Sequence, residues 1–264
     1  MSVAEEELES KGTATLSEEM IFPAPPTFDD VAAERDYRKE QLVEALHIIG
    51  DRRLAEGAAG HITVRDPEHS DRFWVNPFGM SFKVVQVEDL IQVSHDGEIL
   101  AGNRPLNNAA FAIHGAIHAA RPDVVAACHT HAMYGKTFSA FAKPLQMITQ
   151  DDCMFYNDHA VHADDGGAIV TDLDAGHRLA ESLADNKALI HQNHGVVTVG
   201  ETVAEAAWWF IAFERSCQSQ LVAMAAGTPN VISHEYAQHS YDQSGYAFAG
   251  WFQFQTIRQE HGFA

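Results

Sequence analysis

The sequence is poor in cysteine, in basic residues and in long apolar runs. Its 264 residues include only 3 cysteines. The spacing of Cys128, Cys153 and Cys217 matches neither a disulfide framework nor a zinc site, so we expect reduced thiols in a cytoplasmic protein. No apolar run approaches the roughly 18 residues that cross a bilayer. Residues 1–7 have no basic start and no apolar stretch, so we expect neither a membrane partner nor a secretory signal.

The shortage of basic residues gives the chain a strong negative charge. Lysine and arginine number 17 against 37 aspartates and glutamates, for a formal net charge of −20 at pH 7. A surface of that sign repels a phosphate backbone, so nucleic acid is excluded as a partner. The chain does have 46% hydrophobic residues, enough for a sizeable core, and 16 histidines. The positions of those histidines therefore become the main question.

The order of the predicted elements indicates a layered α/β domain. Residues 1–26 are acidic and then interrupted by prolines, which predicts a mobile arm, and residues 27–264 are predicted to form a single domain with an aromatic C-terminal tail. Apolar spacing predicts helices at 32–54, 107–120, 173–184 and 202–226. β-rich segments predict strands at 61–65, 73–76, 124–131, 168–171, 188–190 and 195–199. Strands and helices mixed in this order favour an α/β fold.

Two histidines lie two residues apart in a predicted strand, and a third lies in a predicted turn. Side chains alternate along a strand, so His129 and His131 project to the same face and can share one cation. A pair of hydrogen-bonded surface histidines has the same pattern, and both interpretations stay open at this point. His194 precedes Gly195 between two predicted strands, where the backbone can approach a ligand. An ordinary turn histidine is the alternative there.

Another pair of histidines lies on the predicted helix 107–120. Residues 110, 114 and 118 fall on successive turns of one helical face. His114 and His118 therefore have a spacing that can chelate a metal. A hydrogen-bonded pair in the core has the same spacing, and it is the interpretation that we favour for these two residues.

Taken in order, these stretches resemble the class II aldolase/adducin family over about residues 38–226. The landmarks are the turn at 60–63, the loop at 76–80, Arg121-Pro122-Asp123, the His129-Thr130-His131 strand, the Asn193-His194-Gly195 turn and the long helix after it. The resemblance implies a three-layer α/β/α fold around a mostly antiparallel sheet. It also implies a divalent metal, usually zinc, held by His129, His131 and His194. It further implies rings of four subunits with active sites at the subunit interfaces.

Where the sequence departs from the family's aldolases, it loses their means of binding a sugar phosphate. The acidic residue that those enzymes carry before the His-x-His strand falls at Ala110, so a glutamate placed there is expected to reach the metal. Family positions that bind phosphate fall at His61, Phe78 and Asn108, and a phenylalanine offers no hydroxyl to a phosphate. We therefore predict that a small molecule without phosphate binds against His61, Phe78, Asn108 and Gln150.

Three functions follow from the resemblance. The first is a metal-dependent lyase or decarboxylase that breaks a carbon–carbon bond of an oxo- or hydroxy-carboxylate. His114, Tyr156 and His159 are its candidate catalytic residues, and a neutral imidazole is a usable base near pH 7. The second is a non-haem Fe2+ oxygenase that oxidatively decarboxylates an aromatic 2-oxo or 2-hydroxy acid, as the resemblance to family members in aminocoumarin antibiotic pathways implies. The third is an adducin-like scaffold without metal. We favour the lyase because its chemistry is commoner in the family.

The oligomeric state is predicted from apolar surface as well as from the resemblance. The helix predicted at 202–226 is apolar on nearly every face, and the C-terminal tail is rich in aromatic residues. Both features are typical of surfaces that a partner subunit covers. We expect a homo-oligomer, in the form of a tetramer.

Overall fold

The computed structural model of the protein describes residues 23–263. Most of the arm predicted at residues 1–26 lies outside the described residues. Its last four residues are exposed and have no regular secondary structure.

Within this range, eight strands form one mixed sheet. They are β1 (His61–Arg65), β2 (Arg72–Val75), β3 (Ile91–Ser94), β4 (Ile99–Ala101), β5 (Ala126–Thr130), β6 (His159–His162), β7 (Ala188–His191) and β8 (Gly195–Gly200). Their spatial order is β4-β3-β2-β1-β5-β8-β7-β6. Neighbouring strands are antiparallel except for β6 and β7, which run parallel. The prediction of a mostly antiparallel sheet is confirmed.

Helices cover both sides of this sheet. They are α1 (Val31–Asp51), α2, which runs from Asn108 to Ala120 through a π-helical turn at Phe111–Gly115, α3 (Met133–Ser139), α4 (Leu173–Leu183), α5 (Val203–Ala226), α6 (His234–Ser244) and α7 (Ala247–Glu260). Short 3-10 turns lie at Phe82–Val84, Val87–Asp89 and Asp151–Phe155. None of the helices in the described range has the length and apolarity needed to cross a membrane.

Short polar side chains fix where the longer helices begin. Asp30, Asn107 and Asp172 each accept a hydrogen bond from a backbone N–H in the first turn of α1, α2 and α4, at 2.8–3.0 Å. Thr202 accepts one from the backbone N–H of Glu205 in α5, at 3.0 Å. Each cap replaces a hydrogen bond that the first turn of a helix lacks and contributes about 1 kcal/mol. Local sequence therefore sets these helix starts.

Apolar side chains alternate along the strands and pack against helices on both sides. Ile62 and Cys128 belong to the larger core, which α1, α5 and α7 cover. Ala127, one residue before Cys128, belongs to a second core under α2 and α4. The predicted three-layer α/β/α fold is therefore confirmed. Because His61 and His129 follow the alternation of Ala127, they lie on the face that α2 and α4 cover.

The strand predicted at 168–171 is wrong. That segment is irregular, with Ile169 exposed and Val170 buried. The edge of the sheet is formed instead by β6, which pairs in parallel with β7. Two of the four residues of β6 are histidines, so its composition does not mark it as a strand. Pairing with β7 supplies the hydrogen bonds that hold β6 extended, and strand propensity yields to that context.

The apolar surface of α5 is largely used within the chain. Trp209 and Phe213 are buried in the larger core, together with Trp251 of α7. The surplus of apolar surface predicted for the whole helix is therefore confined to its C-terminal part, where Val222 is 62% exposed and Met224 is exposed as well. The aromatic residues of α7 likewise pack against their own chain, because α7 lies along α5, whereas Tyr236 in α6 is 66% exposed.

Candidate metal centre

Three histidines meet where strands β5, β7 and β8 come together. His129 lies in β5, His131 lies just beyond its end, and His194 lies in the turn between β7 and β8. One ring nitrogen of each histidine lies within 4.8 Å of one ring nitrogen of the other two. The ring centres are 4.7–5.3 Å apart. The structure therefore brings together the three residues that the sequence predicts as metal ligands.

Local contacts fix the tautomer of His129 and the position of His194. The Nδ1–H of His129 donates to the backbone oxygen of Val196 on the adjacent strand, at 2.8 Å. This leaves the Nε2 lone pair of His129 free, as in metal-binding histidines that a backbone carbonyl orients. A side chain at Gly195 would lie 3.1 Å from the backbone oxygen of Thr130. Glycine at this position therefore lets the turn that carries His194 pack against the end of β5.

The three imidazoles are held neutral. Burial lowers the pKa of His129 well below its usual value, and the histidines around it lower that pKa further. Burial, with the neighbouring His191 and His131, lowers the pKa of His194 to about 4. The pKa of His131 is also lowered, again first by burial. Neutral rings keep their lone pairs at pH 7, so the three donors fit a divalent transition metal such as Zn2+ or Fe2+.

Behind these three histidines, a chain of hydrogen bonds runs from the sheet into α2. His61 Nδ1 lies 3.0 Å from His114 Nε2. The Thr63 hydroxyl lies 2.8 Å from His114 Nδ1 and 2.9 Å from His118 Nε2. The ring of His61 is 5.0 Å from the ring of His129, so the chain of bonds starts beside the candidate metal ligands. All four of these hydrogen-bonded side chains are buried, namely His61, Thr63, His114 and His118.

This chain of hydrogen bonds contains two of the predicted site residues and one residue that the sequence does not reveal. His61 and His114 were predicted, and burial lowers the pKa of both well below the usual value. Thr63 was missed because a threonine in a strand indicates only β-propensity. Its alternation with His61 on β1 is the one signal that places it on the same face.

Two predicted substrate-binding residues lie in segments that contact each other. The backbone N–H of Phe78, in the loop after β2, donates to the backbone oxygen of Pro105 at 2.9 Å, and Pro105 lies just before α2. Asn108 is the exposed first residue of α2. The same loop is tied to β1, because the Ile62 N–H donates to the side chain of Asn76 at 3.0 Å. Phe78 is 47% exposed, so this loop offers a ligand an aromatic residue.

Three other predicted site residues lie away from the three candidate metal ligands of the same chain. The ring of His159 packs 5.9 Å from that of Phe213 in the larger core, and both its nitrogens bond to backbone groups. The hydroxyl of Tyr156 bonds to His234. Gln150 is exposed beside the 3-10 turn that packs on α5 and α6. The predicted catalytic roles of His159 and Tyr156 are therefore not supported by this geometry, because both residues serve the opposite face of the sheet.

Ala110 lies just before the π-helical turn of α2. Its side chain is fully buried in an apolar cluster with Phe73, Val75, Ile91 and Val93. A glutamate here would have to displace core side chains and bury a carboxylate among them. That a glutamate at this position reaches the metal stays a prediction, and the burial of Ala110 adds a cost in stability to it.

The fold and the histidine cluster together define an aldolase-like α/β/α domain with a candidate metal centre. The chain belongs to the Class II Aldolase and Adducin N-terminal domain family, whose model matches residues 40–221.

Three relatives illustrate what the chain is similar to. It is 43% identical over 254 residues to decarboxylase NovR of Streptomyces niveus, covering 95% of this chain and 93% of the relative. It is also 43% identical over 254 residues to the 4-hydroxy-3-prenylphenylpyruvate oxygenase/4-hydroxy-3-prenylbenzoate synthase of Streptomyces roseochromogenus subsp. oscitans, covering 95% and 91%. The solved L-fuculose 1-phosphate aldolase from Glaciozyma antarctica PI12 is 44% identical, with a TM-score of 0.83 and coverage of 90% of this chain and 95% of that one.

These relatives carry three different activities in their names at almost equal identity. All three are names of enzymes, which together with the family supports an enzyme here. Overall identity does not choose among decarboxylase, oxygenase and aldolase. The choice has to come from the chemistry of the site.

Proposed function

We propose that this protein is a divalent-metal-dependent enzyme that breaks a carbon–carbon bond in a non-phosphorylated 2-oxo- or 2-hydroxy-carboxylate. The observation that supports this proposal most is the donor set of three neutral histidines, His129, His131 and His194, which contains no carboxylate. A divalent cation held by neutral ligands keeps its full charge, and that charge favours an anionic ligand. A substrate carboxylate, with the adjacent carbonyl or hydroxyl oxygen, fits this requirement.

The cluster is open on one side. His129 is buried, His194 is partly buried and His131 is exposed, so a ligand can approach from the side of His131. When bound, the metal supplies Lewis-acid polarisation of the carbonyl next to the bond that breaks. The three histidines would hold it in place, and the backbone carbonyl of Val196 would orient the ring of His129.

We assign proton handling to His61 and His114. His61 lies beside His129 and bonds through Nδ1 to His114 Nε2, which is linked through Thr63 to His118. Burial keeps these rings neutral, so His61 can accept a proton from a substrate. In this arrangement the Nδ1–H of His61 donates to His114 Nε2 and the free Nε2 of His61 takes the proton, so the bond to His114 stabilises the imidazolium and holds His61 in one orientation.

The proposal departs from the name of the solved L-fuculose 1-phosphate aldolase. A phosphate dianion is bound by hydroxyl, N–H or cationic donors. The loop after β2 presents the exposed ring of Phe78 instead, and the position of the family acid is the buried methyl group of Ala110. An exposed aromatic ring favours a substrate with an aromatic or apolar substituent over one with a phosphate.

Oxidative decarboxylation of an aromatic 2-oxo acid, with Fe2+ and O2, is the second candidate. The name of the Streptomyces roseochromogenus relative favours it. The exposed ring of Phe78 suits an aromatic substrate equally well in both candidates. The two candidates therefore differ in the metal and in oxygen consumption rather than in the class of substrate.

We also propose a homotetramer. Apolar side chains remain exposed on α3, at Met133, and at the end of α5, at Val222 and Met224. Helix α3 begins two residues after His131, so a subunit that covers it would narrow the open side of the cluster. Light scattering at micromolar concentration should give about four times the chain mass of 29.0 kDa, and a single species at 29.0 kDa would contradict the assembly.

Metal analysis and turnover assays on protein purified without oxygen test the function. We expect Zn2+ or Fe2+ bound by the three histidines in the wild type and the loss of that ion in His131→Ala, because two histidines form a weak chelate. His177→Ala, at an exposed histidine of α4, is the matched control and should keep the metal. Full metal content in His131→Ala would contradict the site.

The substrate assay separates the candidates. Cleavage of an arylpyruvate with bound zinc and no oxygen uptake supports the lyase. Iron together with oxygen uptake supports the oxygenase. Turnover of fuculose 1-phosphate at about one per second or faster would contradict both, because that is an ordinary enzymatic rate.

A further inference from the structure

A second group of metal-binding side chains lies beside the three histidines. His162 and His191 are register partners at the ends of the parallel strands β6 and β7. Asp165 lies three residues beyond His162 and turns back toward both rings. Both histidines are buried, with 1% and 0% of their surface exposed, and Asp165 is only partly exposed. The site described above uses none of these three side chains.

The hydrogen bonds around His162 fix its tautomer. The hydroxyl of Ser182 in α4 donates to the backbone oxygen of Arg178 at 3.0 Å. Because that hydroxyl hydrogen is committed, the oxygen of Ser182 accepts from the Nδ1–H of His162, at 2.8 Å. The Nε2 atom of His162 then carries a lone pair and has no hydrogen-bond partner among the described residues.

This lone pair faces a carboxylate. His162 Nε2 lies 3.4 Å from Asp165 Oδ2, and His191 Nε2 lies 2.9 Å from both carboxylate oxygens. A buried lone pair opposite a carboxylate oxygen is repulsive unless a positive charge lies between them. A metal ion held between these groups would supply that positive charge.

The distances fit a metal ion. Donors held about 2.1 Å from a first-row metal are separated by about 3.0 Å in an octahedron and about 3.4 Å in a tetrahedron. The separations of 2.9 and 3.4 Å match these values, and one donor atom of each residue lies within 4.8 Å of the others. Two imidazoles and one carboxylate are also a donor set that binds Fe2+ or Zn2+ in proteins.

The loop that carries Asp165 is shaped to hold it there. Gly166 and Gly167 have φ values of 63° and 83°, and the N–H of Gly167 donates to Asp165 Oδ1 at 3.1 Å. A side chain at Gly167 would lie 2.6 Å from the Cβ of Asn193, next to His194. Glycine is therefore needed for this loop to pack against the turn of the first site.

We propose that His162, Asp165 and His191 bind a second divalent transition-metal ion beside the candidate ion of His129, His131 and His194. The ring of His191 stacks on that of His194 with centres 4.5 Å apart, so the two sites are adjacent and share no ligand. The second site does not depend on the reaction proposed above, because its support comes from its own donors.

Equilibrium dialysis of the full chain against Co2+ tests this proposal. We expect two ions per chain in the wild type. Asp165→Asn should lose one of them, and its amide oxygen can still accept the bond from Gly167, which keeps the loop turn. His162→Gln should lose the same ion and is a second, independent variant. Asp164→Asn changes the neighbouring exposed carboxylate and should keep both ions.

Variants of the first site separate the two sites. His131→Ala should keep the ion bound at Asp165, and His131→Ala combined with Asp165→Asn should bind neither ion. A single ion in the wild type that Asp165→Asn removes and His131→Ala keeps would support the second site even if the first is empty. A single ion that His131→Ala removes and Asp165→Asn keeps would overturn the proposal, as would two ions in both Asp165→Asn and His162→Gln.

Discussion

The hydroxyl of Thr63 is predicted to contribute strongly to stability because it joins two buried histidines. It lies 2.8 Å from His114 Nδ1 and 2.9 Å from His118 Nε2, and all three residues are buried. Thr63→Val keeps the shape of the side chain but removes both hydrogen bonds. Each buried ring nitrogen left without a partner costs about 1–3 kcal/mol. The added methyl group returns about 1 kcal/mol, which leaves a net loss of about 1–5 kcal/mol.

A matched control isolates the cost of the two histidines. Thr198 is equally buried, and its hydroxyl donates to one backbone oxygen, that of Ala206, at 2.8 Å. Thr198→Val loses one ordinary hydrogen bond worth about 1 kcal/mol and gains the same methyl group. The two terms nearly cancel in Thr198→Val, so we expect Thr63→Val to be less stable than Thr198→Val by about 1–5 kcal/mol. Thr63→Ser keeps the hydroxyl and should recover most of the difference.

Urea unfolding followed by tryptophan fluorescence measures these differences. The midpoint should be lowest for Thr63→Val, and the slope with urea should be the same in all variants. Equal free energies of unfolding for Thr63→Val and Thr198→Val, within about 0.5 kcal/mol, would refute the reasoning. The rings of His114 and His118 would then not depend on the hydroxyl between them.

Three further outcomes are expected. The double variant His129→Ala/His131→Ala should lose the ion of the three-histidine site by elemental analysis, and a metal content equal to that of the wild type would contradict the site. In the metal-free protein the lowered pKa of His194, about 4 against 6.5 in the unfolded chain, gives about 3 kcal/mol of stability that is complete above pH 6.5 and lost as the pH falls toward 4. Glu205 has the opposite effect on stability, which falls as the pH rises from 4.5 to 7, because burial raises the pKa of Glu205 to about 7. His194→Gln should therefore reduce the fall of the urea midpoint between pH 6.5 and 4. Ala110→Glu should lower the melting temperature, because its carboxylate enters an apolar cluster, and an unchanged melting temperature would argue that the helix can shift to admit it.

Local sequence determined the parts of this protein that depend on near neighbours. Alternation along the strand that contains β5 placed His129 and His131 on one face, and the capping residues Asp172 and Thr202 set the starts of α4 and α5. The family resemblance added His194, which the structure brings to the other two. The strand alternation and the helix starts follow from periodicity and from hydrogen bonds within a few residues, so the sequence alone can predict them.

Features that depend on distant partners were decided only by the tertiary structure. The apolar surface of α5 is covered by α7, a contact between separate segments that no local pattern contains. His159 was expected at the site, but it lies on the opposite face of the sheet. Side chains alternate along a strand, so the phase of that alternation in β6 decides which of its residues face the three histidines. That phase is fixed by pairing with β7 and not by the composition of β6.

The same pairing creates the group of His162, Asp165 and His191. His191 is 29 residues from His162 along the chain, and the two become neighbours only because β6 joins the sheet edge in parallel with β7. The sequence pattern predicts a strand at 168–171 and none at 159–162, so it does not bring these side chains together. Element order and spacing determined the α/β class and the pair His129 and His131, and the resemblance added His194. Strand order and register decided which other side chains face them, because hydrogen bonding between strands is non-local.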